Sequence, residues 1–467
     1  MPACSASDLP PELLTYIASL ANTLAARQLC CTCKRFRDAA SSLDLSLVLV
    51  VASGNNDLVL LNVDGQIVQR VKALPAPVRR CGGHHRTRSV IPSIGPLTAS
   101  VYNWPTCVTR GPHGSLFVSQ YRIPGVLQFE RTVDGYKFAR VAAKHSSAFK
   151  APEGIVYAHS SLYLVSVERG VIHRLSRAGN DTSQSQSVFR VAEQSSTFEP
   201  DGEYYTMWGM TLGPDGHLYI AAHAADGGDY MQPTETNTGL ILRQKLHPET
   251  GSFDGPLSRY ALGNRFGKPM LNRPSDPRFC SHGFLHVSSY SKLNQGMHPK
   301  CTEDFRLLDP TPSERRVYKF ATAHSNCRAL RLGEHEEGAE TAVRVHKNLD
   351  RDGPLWAETE YGVCVGWLDI DETLKEEDGV SRDGVGLERH SAWGISFSDR
   401  DSGVYITCHG EGSRAPVVRL PSCGCERLSV ATRCSFLSMQ QAFGCGAATE
   451  LQPADPLKAP NCVLVAD

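Results

Sequence analysis

One phrase recurs five times along this chain and constrains its fold more than any other feature. The copies begin at Trp104, Ala151, Met207, Arg273 and Ser391. Each copy reads as a short apolar strand, a turn that contains Gly or Ser, and a second strand of the type Leu-Tyr-Ile-Ala. The first three copies start 47 and 56 residues apart. This spacing is near the length of a four-stranded blade, so the repeats predict a β-propeller.

A sixth, incomplete unit precedes the five copies and reads LVLVVASGNNDLVLLNVDGQIVQRV from Leu47. Its Gly-Asn-Asn and Asp-Gly turn signals predict three antiparallel strands. Because this unit lacks an innermost strand, we expect a downstream segment such as CVLVAD, from Cys462, to complete the blade and close a ring of six. The gap of 118 residues between the last two copies must hold insertions, notably at about 334–390.

The segments VVASGNNDLVLLNVDG and LGPDGHLYIAAH resemble propellers of the NHL and gluconolactonase-like types. The second resemblance implies a divalent cation at the central opening, held by a Glu and by Asn and Asp residues of other blades. Glu153 of PEGIVY occupies the position of that Glu. The equivalent positions elsewhere hold Thr106, Gly209, Gly394 and the pair Ser275-Asp276. Since a hard cation prefers about six oxygen ligands, we expect no metal and interpret Glu153 as a polar residue of the channel.

Residues 9–40 have a different periodicity, which predicts two or three short helices. Their apolar residues recur at intervals of three, four and seven, at Leu9, Leu13, Leu14, Ile17, Leu20, Leu24, Leu29 and Phe36. Asp8 can cap the first helix, and prolines are tolerated in a first helical turn. A unit of this size cannot bury its own apolar surface, so it requires a partner.

The stretch LPPELLTYIASLANTLAARQLCCTCKRFRDAA resembles an F-box. Leu9-Pro10 forms the opening of that pattern and Cys33 to Phe36 its basic-aromatic close, although Phe36 replaces the commoner Trp and the usual Asp-Leu-Leu is absent. The resemblance implies docking on a Skp adaptor and, through it, on a cullin. The residues expected to bind the adaptor are Leu9, Pro10, Leu13, Ile17, Leu20, Leu29, Cys33 and Phe36. The alternative is a helical cap packed on its own β domain.

An aromatic or imidazole side chain ends the second strand of four copies. These side chains are Tyr121, His223, Tyr290 and His409. Because side chains alternate along a strand, the four should point the same way near one rim of the opening. Together with Glu153 they are the predicted target-binding residues, since aromatic and hydrogen-bonding groups suit protein or peptide recognition. The alternative is that they fill the gaps between blades.

The net charge of −1 gives no general attraction to nucleic acid or membrane, and we expect neither as a partner. The charges are nevertheless uneven. Eight Arg and Lys residues and no Asp or Glu lie between Gly65 and Phe129, whereas residues 334–388 hold sixteen acidic and five basic residues. Solvated loops explain both segments. The functional alternative is an acidic or phosphorylated target peptide beside the basic segment.

We expect the chain to be cytoplasmic or nuclear. Asp8, two prolines and Glu12 interrupt the early apolar residues, which argues against a secretory signal, and the run LVLVVA from Leu47 is too short to span a bilayer. The sixteen cysteines are scattered. Cys30 and Cys33 have CxxC spacing, but neither this cluster nor that at 423–425 is accompanied by a second CxxC pair or by a histidine at zinc-ligand spacing. We therefore expect free thiols, no structural zinc and no cofactor.

These observations predict a mainly β protein, with an F-box-like helical module at residues 1–44 and a six-bladed β-propeller at 45–467. The predicted function is substrate recognition in an SCF ubiquitin ligase: the helical module binds the adaptor, the propeller binds a protein target, and catalysis is left to other subunits. No nucleophile elbow or phosphate-binding glycine loop supports another reaction. Two alternatives are a metal-dependent lactonase or hydrolase with an N-terminal helical cap, and a propeller scaffold unrelated to ubiquitin.

Overall fold

The computed structural model describes a set of strands and the turns that join them. It covers residues 47–52, 57–62, 65–72, 105–121, 125–132, 135–143, 151–167, 170–177, 189–196, 204–225, 239–263, 271, 273–289, 316–322, 324–325, 361–369, 390–398, 402–410, 417–424, 449–451 and 460–466. The predicted helical module and all eight predicted adaptor-binding residues lie outside these ranges. So does Tyr290.

The described residues form 24 strands. The predicted mainly β fold is therefore confirmed. The first sheet holds β1 (Leu47–Ala52), β2 (Asp57–Leu61), β3 (Ile67–Lys72) and β24 (Pro460–Ala466). The second holds β4 (Pro105–Arg110), β5 (Leu116–Gln120), β6 (Gly125–Thr132) and β7 (Gly135–Ala143). The third holds β8 (Pro152–Ala158), β9 (Ser161–Ser166), β10 (Val171–Arg177) and β11 (Phe189–Ser196).

The remaining strands form one larger and one smaller sheet. The larger sheet holds β12 (Tyr204–Leu212), β13 (Leu218–Ala225), β14 (Gly239–Gln244), β15 (Ser258–Gly263), β16 (Pro274–Phe279), β17 (Leu285–Ser289), β18 (Arg316–Ala321) and β19 (Tyr361–Asp369). The smaller sheet holds β20 (His390–Phe397), β21 (Val404–Gly410), β22 (Val417–Leu420) and β23 (Thr449–Leu451). All five repeated phrases are therefore antiparallel strand pairs, from β4–β5 to β20–β21.

The predicted count of six separate blades is wrong, because the described strands form five hydrogen-bonded sheets. Four sheets have four strands, and the fifth has eight in the order β12-β13-β14-β15-β19-β18-β17-β16. Its two antiparallel halves are joined where β15 pairs in parallel with β19, from Ala261 with Tyr361 to Gly263 with Val363. This pairing satisfies the outer edges of both halves, which would otherwise expose unpaired backbone groups.

The predicted closure of the ring is confirmed. Strand β24 pairs antiparallel with β1, from Leu47 with Ala466 to Ala52 with Pro460, and completes the first sheet from the inside. The six innermost strands β24, β4, β8, β12, β16 and β20 contact one another in succession, and β20 contacts β24 again. Ring closure leaves none of these inner strands as a free edge.

The second strand of each repeat supplies the core between sheets, because its two faces are both covered. Phe117, Tyr163, Tyr219 and Tyr405 occupy the same place in these strands and are fully buried. His286 takes this place in β17, where burial and the charge of Lys319 lower its pKa to about 3. The imidazole is therefore neutral, and it packs edge to face on the ring of Phe397 at 4.7 Å.

Candidate functional site at the centre of the ring

The inner strands share a local irregularity that places side chains at the centre of the ring. Their pairing with the second strand shifts between Pro105 and Val108, Pro152 and Ile155, Met207 and Met210, Pro274 and Asp276, and Ala392 and Ile395. Such β-bulges redirect side chains and are frequent next to functional sites. We call the residues inside these shifts the bulge ring; they include Thr106, Cys107, Glu153, Trp208, Ser275 and Trp393.

The hydroxyl groups of the bulge ring are used to hold neighbouring strands together. Thr106 Oγ1 donates to the carbonyl oxygen of Pro152 at 2.8 Å. Ser275 Oγ and Ser288 Oγ donate to the carbonyl oxygen of Trp393 at 3.0 and 2.6 Å. The hydroxyl groups of Thr106 and Ser275, which occupy positions equivalent to Glu153, therefore donate to backbone carbonyl groups of the adjacent strand. These hydrogen bonds satisfy carbonyl groups that are buried.

Close approach of the strands explains the glycines of the bulge ring. A Cβ atom at Gly209 would lie 2.4 Å from the carbonyl oxygen of Ser275, and one at Gly154 would lie 2.6 Å from that of Trp208. No side chain can be accommodated at such distances without movement of the backbone. The glycines therefore allow the inner strands to pack closely around the axis.

An ion pair extends from β16 across the axis of the ring. Asp276 is 5% exposed, and its Oδ2 accepts hydrogen bonds from Arg278 Nε at 3.1 Å and from the backbone N–H of Ile395 at 2.9 Å. Arg278 Nη2 also lies 4.0 Å from Cys107 Sγ, on the opposite inner strand β4. Burial raises the pKa of Asp276, although Arg278 and the N–H of Ile395 lower it. The second carboxylate oxygen, Oδ1, is buried without a hydrogen-bond partner among the described residues.

Two thiols from strands far apart in sequence meet beside this ion pair. Cys107 Sγ and Cys462 Sγ are 3.5 Å apart, and both residues are buried. The contact with Cys462 lowers the pKa of Cys107 to about 7, against the effect of burial and with help from the charge of Arg278. The same contact and burial raise the pKa of Cys462. Cys107 is therefore the thiol of the pair that ionises first.

Glu153 lies in the bulge ring, on β8. Its side chain is half-buried, and burial raises the pKa of its carboxyl group well above 4.5, with a further contribution from Cys107. A strongly raised carboxyl pKa is a frequent property of functional sites. Within the described residues, Glu153 does not belong to a group of three His, Cys, Asp or Glu side chains with ligand atoms close enough to share a metal.

Two tryptophans line the bulge ring on either side of β16. The rings of Trp208 and Trp393 contact edge to face, with centroids 5.7 Å apart, and both side chains are half-buried. Trp208 Nε1 donates to His223 Nδ1 at 3.2 Å. In the sequence both tryptophans stand directly before a glycine of the repeat. This pattern alone does not distinguish tryptophans of a binding site from tryptophans that pack between the sheets.

The predicted target-binding residues occupy different environments. His223 is 6% exposed and lies against Trp208, while Tyr121 is half-buried at the end of β5. His409 lies on β21 with its backbone paired to Ser391, and its side chain falls outside the described part of the chain, as does all of Tyr290. The proposed rim of four side chains stays a prediction.

The comparison with protein families identifies the class to which the N-terminal region belongs. The F-box domain family model matches residues 6–47. The chain thus carries an F-box domain directly before a β-propeller, and the ubiquitin ligase pathway follows from that domain. None of the curated protein sequences matches this chain. Among the residues that the structure describes, no helix has the length and apolarity needed to cross a membrane.

Several solved propellers are similar to this chain at low sequence identity. A putative 6-phosphogluconolactonase from Bacteroides fragilis has 9% identity and a TM-score of 0.41, over 91% of this chain and 99% of that one. The periplasmic gluconolactonase of Pseudomonas aeruginosa has 12% identity and a TM-score of 0.38, over 80% and 79%. PQQ-bound aldose sugar dehydrogenase from Streptomyces coelicolor has 14% identity and a TM-score of 0.39, over 78% and 86%.

Proposed function

We propose that this chain is the substrate-recognition subunit of an SCF-type ubiquitin ligase. Its F-box docks on a Skp adaptor, and its propeller binds a protein target and holds it near the ligase. The observation that carries the proposal is the F-box match at residues 6–47, immediately upstream of the first strand at Leu47. The chain's contribution is proximity, and the transfer chemistry belongs to its partners.

The bulge ring supports a binding role for the propeller. The hydroxyls of Thr106 and Ser275 are engaged with backbone carbonyls, and Arg278 is paired with Asp276. Half-buried Trp208 and Trp393 add an aromatic surface of the kind that anchors protein partners. We propose that the target binds at the nearby rim, through the predicted set Tyr121, Glu153, His223, Tyr290 and His409.

A metal-dependent hydrolase remains the second candidate, because one observation favours it. Glu153 is at the expected position and has a raised carboxyl pKa. The equivalent positions offer backbone-bound hydroxyls or glycines rather than the Asn and Asp ligands of that family. Lactone hydrolysis that requires stoichiometric metal and is lost in Glu153→Gln would transfer the assignment to this candidate.

The adaptor interaction is tested by co-purification with a Skp adaptor. Replacing Leu9-Pro10 with Ala-Ala, or Ile17 with Asp, should weaken adaptor binding by about thirty-fold or more, because an apolar anchor is lost from the helix face. Val68→Ala is a matched control, since Val68 is 54% exposed on the propeller. Near-ultraviolet circular dichroism reports whether the tertiary packing of the aromatic side chains persists in each variant.

Two results would contradict the proposal or part of it. Adaptor binding that survives both F-box changes would rule out F-box docking. For the target site, Tyr121→Ala combined with His409→Ala should lower capture of the target protein while adaptor binding stays at the wild-type level. Unchanged target capture would exclude the proposed rim.

A further inference from the structure

Three side chains of types that bind metals converge beyond the ends of β16 and β22. They are Cys280, His282 and Cys423, and their ligand atoms all lie within 4.8 Å of one another. Cys280 and Cys423 are 5% and 6% exposed, and His282 is half-buried. Among the described residues, these three side chains form the group of His, Cys, Asp or Glu whose ligand atoms lie close enough together to hold a metal ion.

A tight turn fixes the first two side chains. Cys280 follows β16, and its carbonyl accepts the N–H of Gly283 at 2.9 Å, while its own N–H donates to the carbonyl of Phe284 at 3.1 Å. Gly283 has a φ of +77°, and a Cβ atom there would lie 2.0 Å from the carbonyl oxygen of His324. Glycine is therefore required at this point of the turn. The turn holds Cys280 and His282 two residues apart on one hairpin.

The third side chain comes from a different sheet. Cys423 follows β22, and the next residue, Gly424, donates its N–H to Ser422 Oγ at 2.8 Å. The Cys280 and Cys423 side chains belong to one hydrophobic cluster between the eight-stranded sheet and the sheet of β20 to β23. A ligand held by all three side chains would therefore join these two sheets.

The geometry and the donor types fit zinc. A point equidistant from three atoms 4.8 Å apart is about 2.8 Å from each of them, and Zn–S and Zn–N bonds are about 2.3 and 2.0 Å long. Movements of less than about 1 Å in each side chain would complete the bonds. Two thiolates and an imidazole form a donor set that selects zinc over magnesium or calcium.

A further observation indicates a bound cation at this place. His282 Nδ1 is buried and has no hydrogen-bond partner among the described residues, so a metal bond would satisfy it.

We propose that Cys280, His282 and Cys423 bind one zinc ion that joins the two sheets. Binding displaces the protons of the two thiols, which leave to solvent, and the fourth tetrahedral position is open to water or another donor. The sequence rule for zinc missed this group because its ligands come from a hairpin turn and from the end of a strand in the next sheet. The proposal is independent of the assignment to a ubiquitin ligase.

The first test is metal analysis of the purified full-length chain by mass spectrometry. We expect about one zinc per chain in the wild type and less than about a fifth of that in His282→Ala and in Cys423→Ser, because a two-ligand site binds zinc weakly. Cys408→Ser is the matched control, since Cys408 is a fully buried thiol of the same cluster and should leave the zinc content unchanged. Wild-type protein without zinc, or equal zinc in all variants, would overturn the proposal.

A second test does not depend on how well the variants fold. Wild-type protein stripped by a chelator and reloaded with Co²⁺ should show a thiolate-to-cobalt charge-transfer band and the visible absorption of a tetrahedral site. Stripping should also lower the thermal midpoint of the wild type, and zinc should restore it. Stripped wild-type protein that keeps its circular dichroism spectrum but takes up neither Co²⁺ nor zinc would refute the site.

Discussion

Replacing Asp276 with Ala tests whether the ion pair across the ring holds the inner strands in place. The carboxylate binds Arg278 at 3.1 Å and the backbone N–H of Ile395 at 2.9 Å, and so links β16 to β20. The side chains of Arg278 and Asp276 are 18% and 7% exposed. The substitution would leave a mostly buried guanidinium without its counter-ion and a buried N–H without its acceptor.

The expected loss follows from these two consequences. Removing one member of a buried ion pair costs about 3–5 kcal/mol, of which an unsatisfied buried N–H accounts for about 1–3 kcal/mol. Burial raises the pKa of Asp276 in spite of Arg278, so desolvation of the carboxylate offsets part of the attraction between the two charges. The double variant Asp276→Ala with Arg278→Met should therefore recover a large part of the loss.

The assay is urea denaturation followed by tryptophan fluorescence, with Asp57→Ala as the control. The Asp57–Arg70 pair has a longer N···O distance of 3.4 Å, and its side chains are 14% and 24% exposed. Because both side chains are more exposed than those of Asp276 and Arg278, the loss of Asp57 should cost less than the loss of Asp276. The reasoning is refuted if Asp276→Ala is as stable as this control. It is equally refuted if the double variant is no more stable than Asp276→Ala alone.

Two other predictions concern pH and ring closure. Because the folded chain holds the proton of Glu153 at a pH where the unfolded chain has released it, the free energy of unfolding should fall as pH rises from about 4.5 through the raised pKa. Glu153→Gln should remove this dependence. The thermal midpoint of the variant minus that of the wild type should therefore be larger at about pH 8 than at about pH 5. The same difference at both pH values would contradict the burial of the carboxyl group. Deleting residues 460–466 should expose the edge of β1, so the protein should aggregate or become sensitive to protease. Size-exclusion chromatography and limited proteolysis measure these two outcomes. A monomeric, protease-resistant product would show that β24 is dispensable.

The repeats allowed much of the strand order to be predicted from the sequence. Short-range signals placed all five strand pairs, and the missing inner strand of the first unit predicted its completion from Cys462 onwards. The number of separate sheets could not be predicted, because it depends on the parallel pairing of β15 with β19. That pairing lies at strand ends that carry no turn or repeat signal.

The candidate site was only partly predictable, for a related reason. The repeat aligns Glu153 with Thr106, Gly209 and Gly394, and the register shifts of the inner strands include all four positions, while its role at the site stays a prediction. The contact between Cys107 and Cys462 joins positions 355 residues apart, and Arg278 reaches them from a third strand. No local pattern links these residues. The adaptor-binding residues, from Leu9 to Phe36, stay predictions based on the F-box pattern.

The position of β24 sets an order on the synthesis of the protein. On the ribosome the F-box emerges before the propeller, and β24, which pairs with β1, emerges after every other described strand. Pairing over so long a sequence separation is a slow and late step of folding. A nascent chain therefore presents its F-box well before its propeller can close. Under the proposed function, translation that stops early would release a fragment that competes with the full chain for the adaptor.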